Sequence, residues 1–447
     1  MDMKTARPYQ DQAIQSLRAG FARGYKSQIL CMPTGSGKSY VFTTIANSAL
    51  SKGKRVMIIC NRIELINQVQ DYLKTLGLKF TVIAPGQKQG VKTCFVASMD
   101  TLRRRELPDV DLIIIDEAHL STFDSLITRY RESEFNPLII GATATPVRTG
   151  AQTSLHELYD NIVEPTTIGA LLYEEYLVPC RTYAAKIDLS EVKLTGGDYN
   201  NKALYQEFDK QRLYEGLVTN FEKFAKDKKT LIFNVNVAHS KKTVEALKAA
   251  GYDARHLDGQ TPTGERRQLL EGFKNGDFQI LSNCSVLTTG YDEPSIEAII
   301  VNRATKSLPL WLQMTGRGSR TYSGKLDFTV IDMGANCYEH GLWEDARTWN
   351  LTKKRRNSSG VAPVKLCEAC EGMNNVSARL CKECGEPFKI KAKALLKAEF
   401  TEVKSNRGGG ERFSAKGKTR AQLHEHAKKM GYAPGWAHVQ YKIHGGK

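Results

Sequence analysis

Short apolar runs alternate with longer amphipathic stretches along most of the chain. SQILCM (27–32), RVMIIC (55–60), TCFVAS (93–98), DLIIIDE (111–117) and PLIIGAT (137–143) are bounded by polar residues and lack polar alternation. That pattern predicts strands buried on both faces, as in a parallel sheet. The segments between them, such as YVFTTIANSAL and IELINQVQDYLKTLG, carry apolar residues at helical spacing and predict amphipathic helices. The pattern restarts with TLIFNV (230–235), ARHLDG (254–259), QILSNC (279–284), AIIVNR (298–303) and FTVIDM (328–333). The expectation is an α/β fold with two tandem parallel-sheet domains, joined near 165–180. The stretch 186–215, with Gly196 and Gly197, breaks the repeat and reads as an insertion or a lead-in strand.

After Trp349 the pattern changes. The reading divides the chain into domains at 1–167 and 168–350, a basic linker at 351–362, a cysteine module at 363–390 and a basic, aromatic tail at 391–447. KTRAQLHEHAKKMG (418–431) reads as a helix closed by Gly431. Composition sharpens this division. Of the net charge of +16, +13 lies after residue 350. Basic tails meet phosphate backbones or anionic surfaces. No apolar run approaches the ~20 residues of a membrane span. The start, MDMKTARPYQ, lacks a signal-peptide core, so an intracellular protein is expected. Cys31, Cys60, Cys94, Cys180, Cys284 and Cys337 are scattered and expected to sit reduced in the core.

Three strings carry candidate phosphate chemistry. MPTGSGKS (32–39) follows an apolar strand and precedes a helix, the setting a phosphate loop requires. Thr34, Gly35, Ser36 and Gly37 would wrap backbone N–H groups around phosphates. Lys38 would pair with the terminal phosphates, and the Ser39 hydroxyl would hold magnesium. DEAH (116–119) ends the strand DLIII, where a doubly wound sheet places its ligand. There Asp116 would hold magnesium and Glu117 would orient and deprotonate the attacking water. QMTGRGSR (313–320) puts Gln313, Arg317 and Arg320 in the second domain.

Together with GATATP (141–146), these strings resemble the ordered motifs of superfamily 2 helicases of the DEAD/DEAH type, over about residues 5–335. Met32 stands where the strict phosphate loop has Gly, a departure this superfamily tolerates. The resemblance implies two RecA-like domains with ATP in the cleft between them. It implies that Arg317 and Arg320 reach the γ-phosphate from the second domain, and that Gln313 belongs to the same catalytic set. It implies that His119, Thr143 and Thr145 couple the ATP site to motion. ARPYQ (6–10) is similar to the adenine motif, with Gln10 on the base edge and Arg7 bracing it. CNRIELINQ (60–68), ASMDTL (97–102), LIFNVNVAHS (231–240) and SVLTTGYDEP (285–294) resemble nucleic-acid and coupling motifs. They suggest Arg62, Ser98, Thr101, Asn234, Thr288 and Thr289 as nucleic-acid contacts, and Gly290 and Asp292 at the nucleotide. The wording GATATP and QMTGRGSR is similar to DNA-acting members, including RecG-, UvsW- and XPB-like remodellers and phage helicases. The expected activity is ATP-dependent unwinding or remodelling of DNA, branched DNA included. An RNA helicase and an ATP-switched binding regulator without motor activity remain as alternatives.

LCEACEGMNNVSARLCKECGEPF (366–388) holds Cys367, Cys370, Cys381 and Cys384 as two CxxC pairs ten residues apart. Such pairs converge on one zinc, giving a zinc ribbon. The ribbon's role stays open between nucleic acid and a protein partner. Tyr432, Trp436 and Tyr441 lie among basic residues near the end, and Trp436 is a candidate stacking platform for bases. The implied cofactors are ATP, magnesium and zinc.

Overall fold

A computed structural model describes residues 6–61, 63–86, 90, 92–148, 154–185, 187, 189, 191–288, 290–351, 364–366, 373–375, 384, 400–403 and 419–430. The first lobe runs α1 (Pro8–Ala22), β1 (Ser27–Cys31), α2 (Lys38–Leu50), β2 (Val56–Cys60), α3 (Ile63–Thr75), β3 (Thr81–Ile83), β4 (Cys94–Ser98), α4 (Met99–Leu102), β5 (Leu112–Asp116), α5 (Asp124–Glu132), β6 (Leu138–Thr143) and β7 (Asn161–Val163). Its sheet has the order β3-β4-β2-β5-β6-β1-β7, parallel throughout. Strands β1, β2 and β5 are buried at every position, as their unbroken apolar runs require.

The chain leaves this sheet at Val163 and enters the second at Cys180. Helix α6 (Ile168–Tyr173) lies between, and β8 (Cys180–Ala184) follows. A short hairpin, β9 (Leu194–Thr195) and β10 (Asp198–Tyr199), turns at Gly196 and Gly197, both at positive φ. Helix α7 (Asn201–Phe208) starts beneath it, with the Asn200 side chain accepting from the N–H groups of Lys202 and Ala203. The described part of 186–215, read as an insertion or a lead-in strand, is therefore a hairpin followed by α7 and the first turn of the next helix. Then come α8 (Gln211–Ala225), β11 (Thr230–Asn234), α9 (Val237–Ala249), β12 (Ala254–Leu257), α10 (Thr263–Asn275), β13 (Ile280–Asn283), β14 (Ala298–Asn302), α11 (Leu308–Thr315), β15 (Phe328–Asp332) and α12 (Asn336–His340).

A hairpin of β16 (Val364–Leu366) and β17 (Met373–Asn375) follows, and then β18 (Thr401–Glu402). The second sheet has the order β12-β13-β11-β14-β15-β8-β18, with only β18 antiparallel. Both lobes are thus RecA-like parallel sheets, as expected. The edge strands β3, β7 and β18, and β8 beside the last of them, escaped the apolar pattern because they are short or half-exposed. One core cluster is continuous from Leu30, Ile58 and Ile140 to Phe233, Val301 and Val330. Residues 404–447 form a separate unit, and its described part contains α13 (Arg420–Met430). Among the described residues no helix is long and apolar enough to cross a membrane. Of the six scattered cysteines, Cys31, Cys60, Cys94 and Cys337 are buried, and all six are free thiols.

Gly141 in β6 shows why GATATP opens on glycine. A Cβ there would lie 2.7 Å from both the Ala118 Cβ and the Tyr159 hydroxyl. Gly141→Ala should therefore lower stability by about 1–3 kcal/mol through overpacking. Urea unfolding of the two proteins measures this, and an unchanged midpoint would contradict the packing.

Candidate active site

Strand β1 delivers its last residue into a loop that only glycine can close. Gly35 and Gly37 sit at φ 82° and 83°, and α2 begins at once with Lys38. Helix α1 braces this loop from behind. The Tyr9 hydroxyl donates to the Ser36 carbonyl at 2.7 Å, and Gln10 Nε2 donates to the same oxygen at 3.1 Å. Arg7 lies 4.4 Å over the Tyr176 ring and donates to the Tyr9 hydroxyl. Gln10 and Arg7, expected at the adenine, thus hold the loop and the interlobe linker in this structure. Lys38 Nζ donates to the carbonyls of Met32 and Pro33 at 3.1 and 3.4 Å. Desolvation lowers its pKa, and the charges of Glu117 and Asp116 oppose that shift. Ser39 is half-buried in the first turn of α2, and Thr34 lies at the loop's start.

The end of β5 brings two carboxylates beside this lysine. Asp116 is 7% exposed and Glu117 9%. Glu117 has φ 55°, a left-handed conformation rare for a side chain this large, and its N–H donates to Asp116 Oδ1 at 3.0 Å. Burial, then the neighbouring Glu117 charge, pushes Asp116 up to about 7. A buried, mutually repelling carboxylate pair suits a hard divalent cation, and the Ser39 hydroxyl is a suitable further oxygen donor. Magnesium fits this donor set. His119 is held neutral by burial, with its pKa down to about 4. Its Nδ1 lies 2.9 Å from Thr143 Oγ1, which accepts from Thr145 N–H at 3.0 Å. Arg148 donates to the His119 carbonyl and grips Asp124 with both terminal nitrogens. The sequence reading did not single out Arg148.

The second lobe closes over these groups. Gln313 Nε2 donates to Glu117 Oε2 at 3.0 Å, across 196 residues of chain. The helical turn Gly316–Gly318 sits against the phosphate loop. A Cβ on Gly316 would lie 3.0 Å from Thr34 Cβ, and one on Gly35 would lie 3.5 Å from Arg320 Cγ. Arg317 is 5% exposed and donates to the carbonyls of Thr288 and Tyr291 at 2.7 and 2.6 Å. Arg320 pairs with Asp292 at 2.7 Å, and Gly290 lies in the same loop at φ 75°. The linker runs through this seam. Leu177 pairs with Arg320, and Val178 N–H donates to the Ser319 carbonyl at 2.8 Å. Tyr9, Tyr176 and Leu177 are thus site residues that motif reading missed. Their only signal was Tyr9's place inside the motif ARPYQ and the position of Tyr176 and Leu177 at the domain junction.

The candidate nucleic-acid residues are dispersed. Ser98 ends β4 and Thr101 lies in α4, both half-buried. Asn234 is 1% exposed and spent inside the lobe, bonded to Ser282, Thr243 and Asn302. Thr288 is 6% exposed. Arg62, Thr289 and Trp436 lie outside the described residues, as do Cys367, Cys370 and Cys381. Cys384 is exposed.

Residues 3–148 match the family described as type III restriction enzyme, res subunit, and residues 210–322 match the helicase conserved C-terminal domain. A 51.5 kDa protein of a Lactococcus phage is 29% identical over 369 residues, covering 81% of this chain and 78% of that protein. A putative ATP-dependent helicase, IRC3 of Saccharomyces cerevisiae, is 30% identical over 354 residues, covering 73% of this chain but only 51% of the yeast protein. Among solved structures, the ATP-dependent type ISP restriction-modification enzyme LlaBIII bound to DNA shares the fold with a TM-score of 0.55. Its identity is 19%, over 74% of this chain and 27% of that one. Two family matches fall one on each lobe, in the order in which the structure brings both lobes to a single phosphate-binding seam. The chain therefore belongs to the superfamily 2 helicases and is an ATP-hydrolysing enzyme.

Proposed function

We propose that this helicase acts on DNA, unwinding or remodelling it, with branched DNA as the preferred form. The observation that carries the ATP chemistry is the Gln313–Glu117 hydrogen bond across the seam, which joins the two halves of the site. For DNA the support is the restriction-enzyme family match over the first lobe and the fold shared with a DNA-bound enzyme.

Bound ATP supplies the phosphoryl group, and magnesium, which Asp116 and Ser39 would hold, would offset part of its charge. Lys38 gives up its carbonyl partners to the terminal phosphates. Glu117 orients the attacking water and takes its proton, while Gln313 fixes the Glu117 carboxylate. Arg317 and Arg320 exchange the Thr288 and Tyr291 carbonyls and Asp292 for the phosphoryl oxygens, so hydrolysis requires lobe closure. His119, Thr143 and Thr145 carry the state of that site toward the nucleic-acid face.

Zinc held by Cys367, Cys370, Cys381 and Cys384 belongs to the same proposal. The spacing of the two CxxC pairs supports it, and Leu366 pairs with Met373 on either side of the first pair. The expected result is one zinc per chain, lost in Cys381→Ser with ATP hydrolysis retained. Metal analysis of both proteins checks it, and a native protein without zinc would end the ribbon reading.

Glu117→Gln should lower kcat for ATP hydrolysis by about 10²–10⁴-fold, the usual contribution of a general base. ATP binding should persist. Steady-state kinetics with a binding assay decide this, and wild-type turnover would remove Glu117 from its role.

Hydrolysis measured in parallel with single-stranded, duplex and forked DNA and with RNA should be stimulated most by forked DNA. Stimulation by RNA alone would replace DNA with RNA, and ATP-dependent affinity without strand displacement would make the protein a regulator. Truncation should follow Val403, because β18 belongs to the second sheet. It removes residues 404–447, with a net charge of +8. The truncated protein should bind DNA with a shallower salt dependence, losing about 0.7–0.9 in slope per phosphate contact removed. Equal slopes would take the tail away from DNA.

A further inference from the structure

The segment after α12 does more than lead out of the second lobe. It first forms a tight loop around one guanidinium. Arg347 donates to the carbonyls of His340, Leu342, Trp343 and Asp345. Leu342 N–H donates to Asp345, and Trp311 Nε1 donates to the Gly341 carbonyl at 3.1 Å. This loop presses Trp343 into the lobe, where it meets Phe328 edge-on with ring centroids 5.5 Å apart.

Trp343 is 1% exposed. Its Nε1 lies 3.2 Å from the point a Cβ on Gly316 would occupy, and Thr34 Cβ lies 3.0 Å from that same point. The indole edge, the arginine-bearing turn and the phosphate loop therefore meet in one place.

Beyond the loop, the chain crosses to the other lobe. Trp349 and Leu351 pack on the first-lobe cluster that contains Phe123, Leu155 and Tyr159. Ser154 Oγ donates to the Leu351 carbonyl at 3.1 Å. The strap 341–351 is thus rooted in the second lobe and pinned to the first.

We propose that Trp343 is a positioning residue for ATP hydrolysis. It sets the depth at which the Gly316–Gly318 turn, and with it Arg317 and Arg320, seats on the phosphate loop. The strap ties that seating to the approach of the two lobes. The inference rests on the nucleotide-site reading above, and it adds a residue outside every motif that reading used.

Trp343→Phe keeps an aromatic plug but removes the N–H edge. Its kcat for DNA-stimulated hydrolysis should fall about tenfold, with KM for ATP held within about twofold, because small misplacement of a catalytic group costs rate more than binding. The thermal midpoint should fall by only a few degrees, the cost of the small cavity that Phe leaves. Trp349→Ala, which frees the strap from the first lobe, should give the same split between kcat and KM. Tryptophan fluorescence of the wild-type protein should shift on addition of a non-hydrolysable ATP analogue with magnesium, and Trp343→Phe should lose most of that shift. Wild-type kcat in Trp343→Phe would overturn the proposal. So would a loss of kcat that disappears when the assay is run well below the variant's thermal midpoint, which makes the residue a core plug only. Lys38→Ala, run alongside, separates the two possible failures. An inactive Lys38→Ala beside a fully active Trp343→Phe sinks only the positioning role, whereas an active Lys38→Ala sinks the nucleotide site itself.

Discussion

The structure depends on two glycine-bearing turns approaching across one seam. Phosphoryl transfer asks a protein mainly for position and charge. Here the charges are divided, with Lys38, Asp116 and Glu117 on one lobe and Arg317 and Arg320 on the other. They can converge only if the backbones carrying them come close. Gly35 and Gly316 make that possible, since a Cβ at either would meet the opposite lobe at 3.0–3.6 Å. Gly318 settles the turn on its own lobe, where a Cβ would collide with the Phe328 ring at 2.3 Å. The GRG spacing is thus a packing requirement before it is a chemical one. The linker respects the same constraint by threading Leu177 and Val178 along the turn rather than around it.

What could be read from sequence divides along this line. The central strands were legible because burial on both faces leaves an unbroken apolar run, as in VMIIC and LIIID. Edge strands such as β3 and β18 were not, because three or two residues with one open face carry no run. The phosphate loop and DEAH were legible because the chemistry allows few residue types at fixed spacing. The contacts that shape the site were not. Tyr9 on Ser36, Gln313 on Glu117 and Trp343 beside Gly316 join positions far apart in the chain, and no local pattern encodes them. Asn234 shows the opposite error. Its motif suggests nucleic acid, but at a buried strand end a polar side chain must first satisfy itself, and it does so with Ser282, Thr243 and Asn302.

The electrostatics give the seam its direction. Asp116 is raised and Lys38 lowered by the same desolvation, so the charged forms of both are costly until something of complementary charge arrives. His119, kept neutral, contributes no competing charge, and its Nδ1 lies 2.9 Å from Thr143 Oγ1. The site therefore stores unfavourable electrostatics on the first lobe and parks its arginines on carbonyls and Asp292 in the second. Those groups already face one another across a seam that Gln313 and Glu117 bridge, so in the proposed function bound nucleotide and magnesium would exchange partners within the seam rather than draw the lobes together.

The strap extends this logic past the motor. Leu351 is pinned on the first lobe by Ser154 and the cluster around Tyr159, whereas Thr401 and Glu402 pair with β8 in the second. Val403 N–H adds a further bond to the Thr182 carbonyl at 2.9 Å. The intervening chain, which carries all four cysteines of the CxxC pairs, thus begins on one lobe and ends on the other. Whatever separates the lobes also separates its ends. That is a reason for the chain to return to the sheet edge at β18 instead of leaving the motor directly after β15.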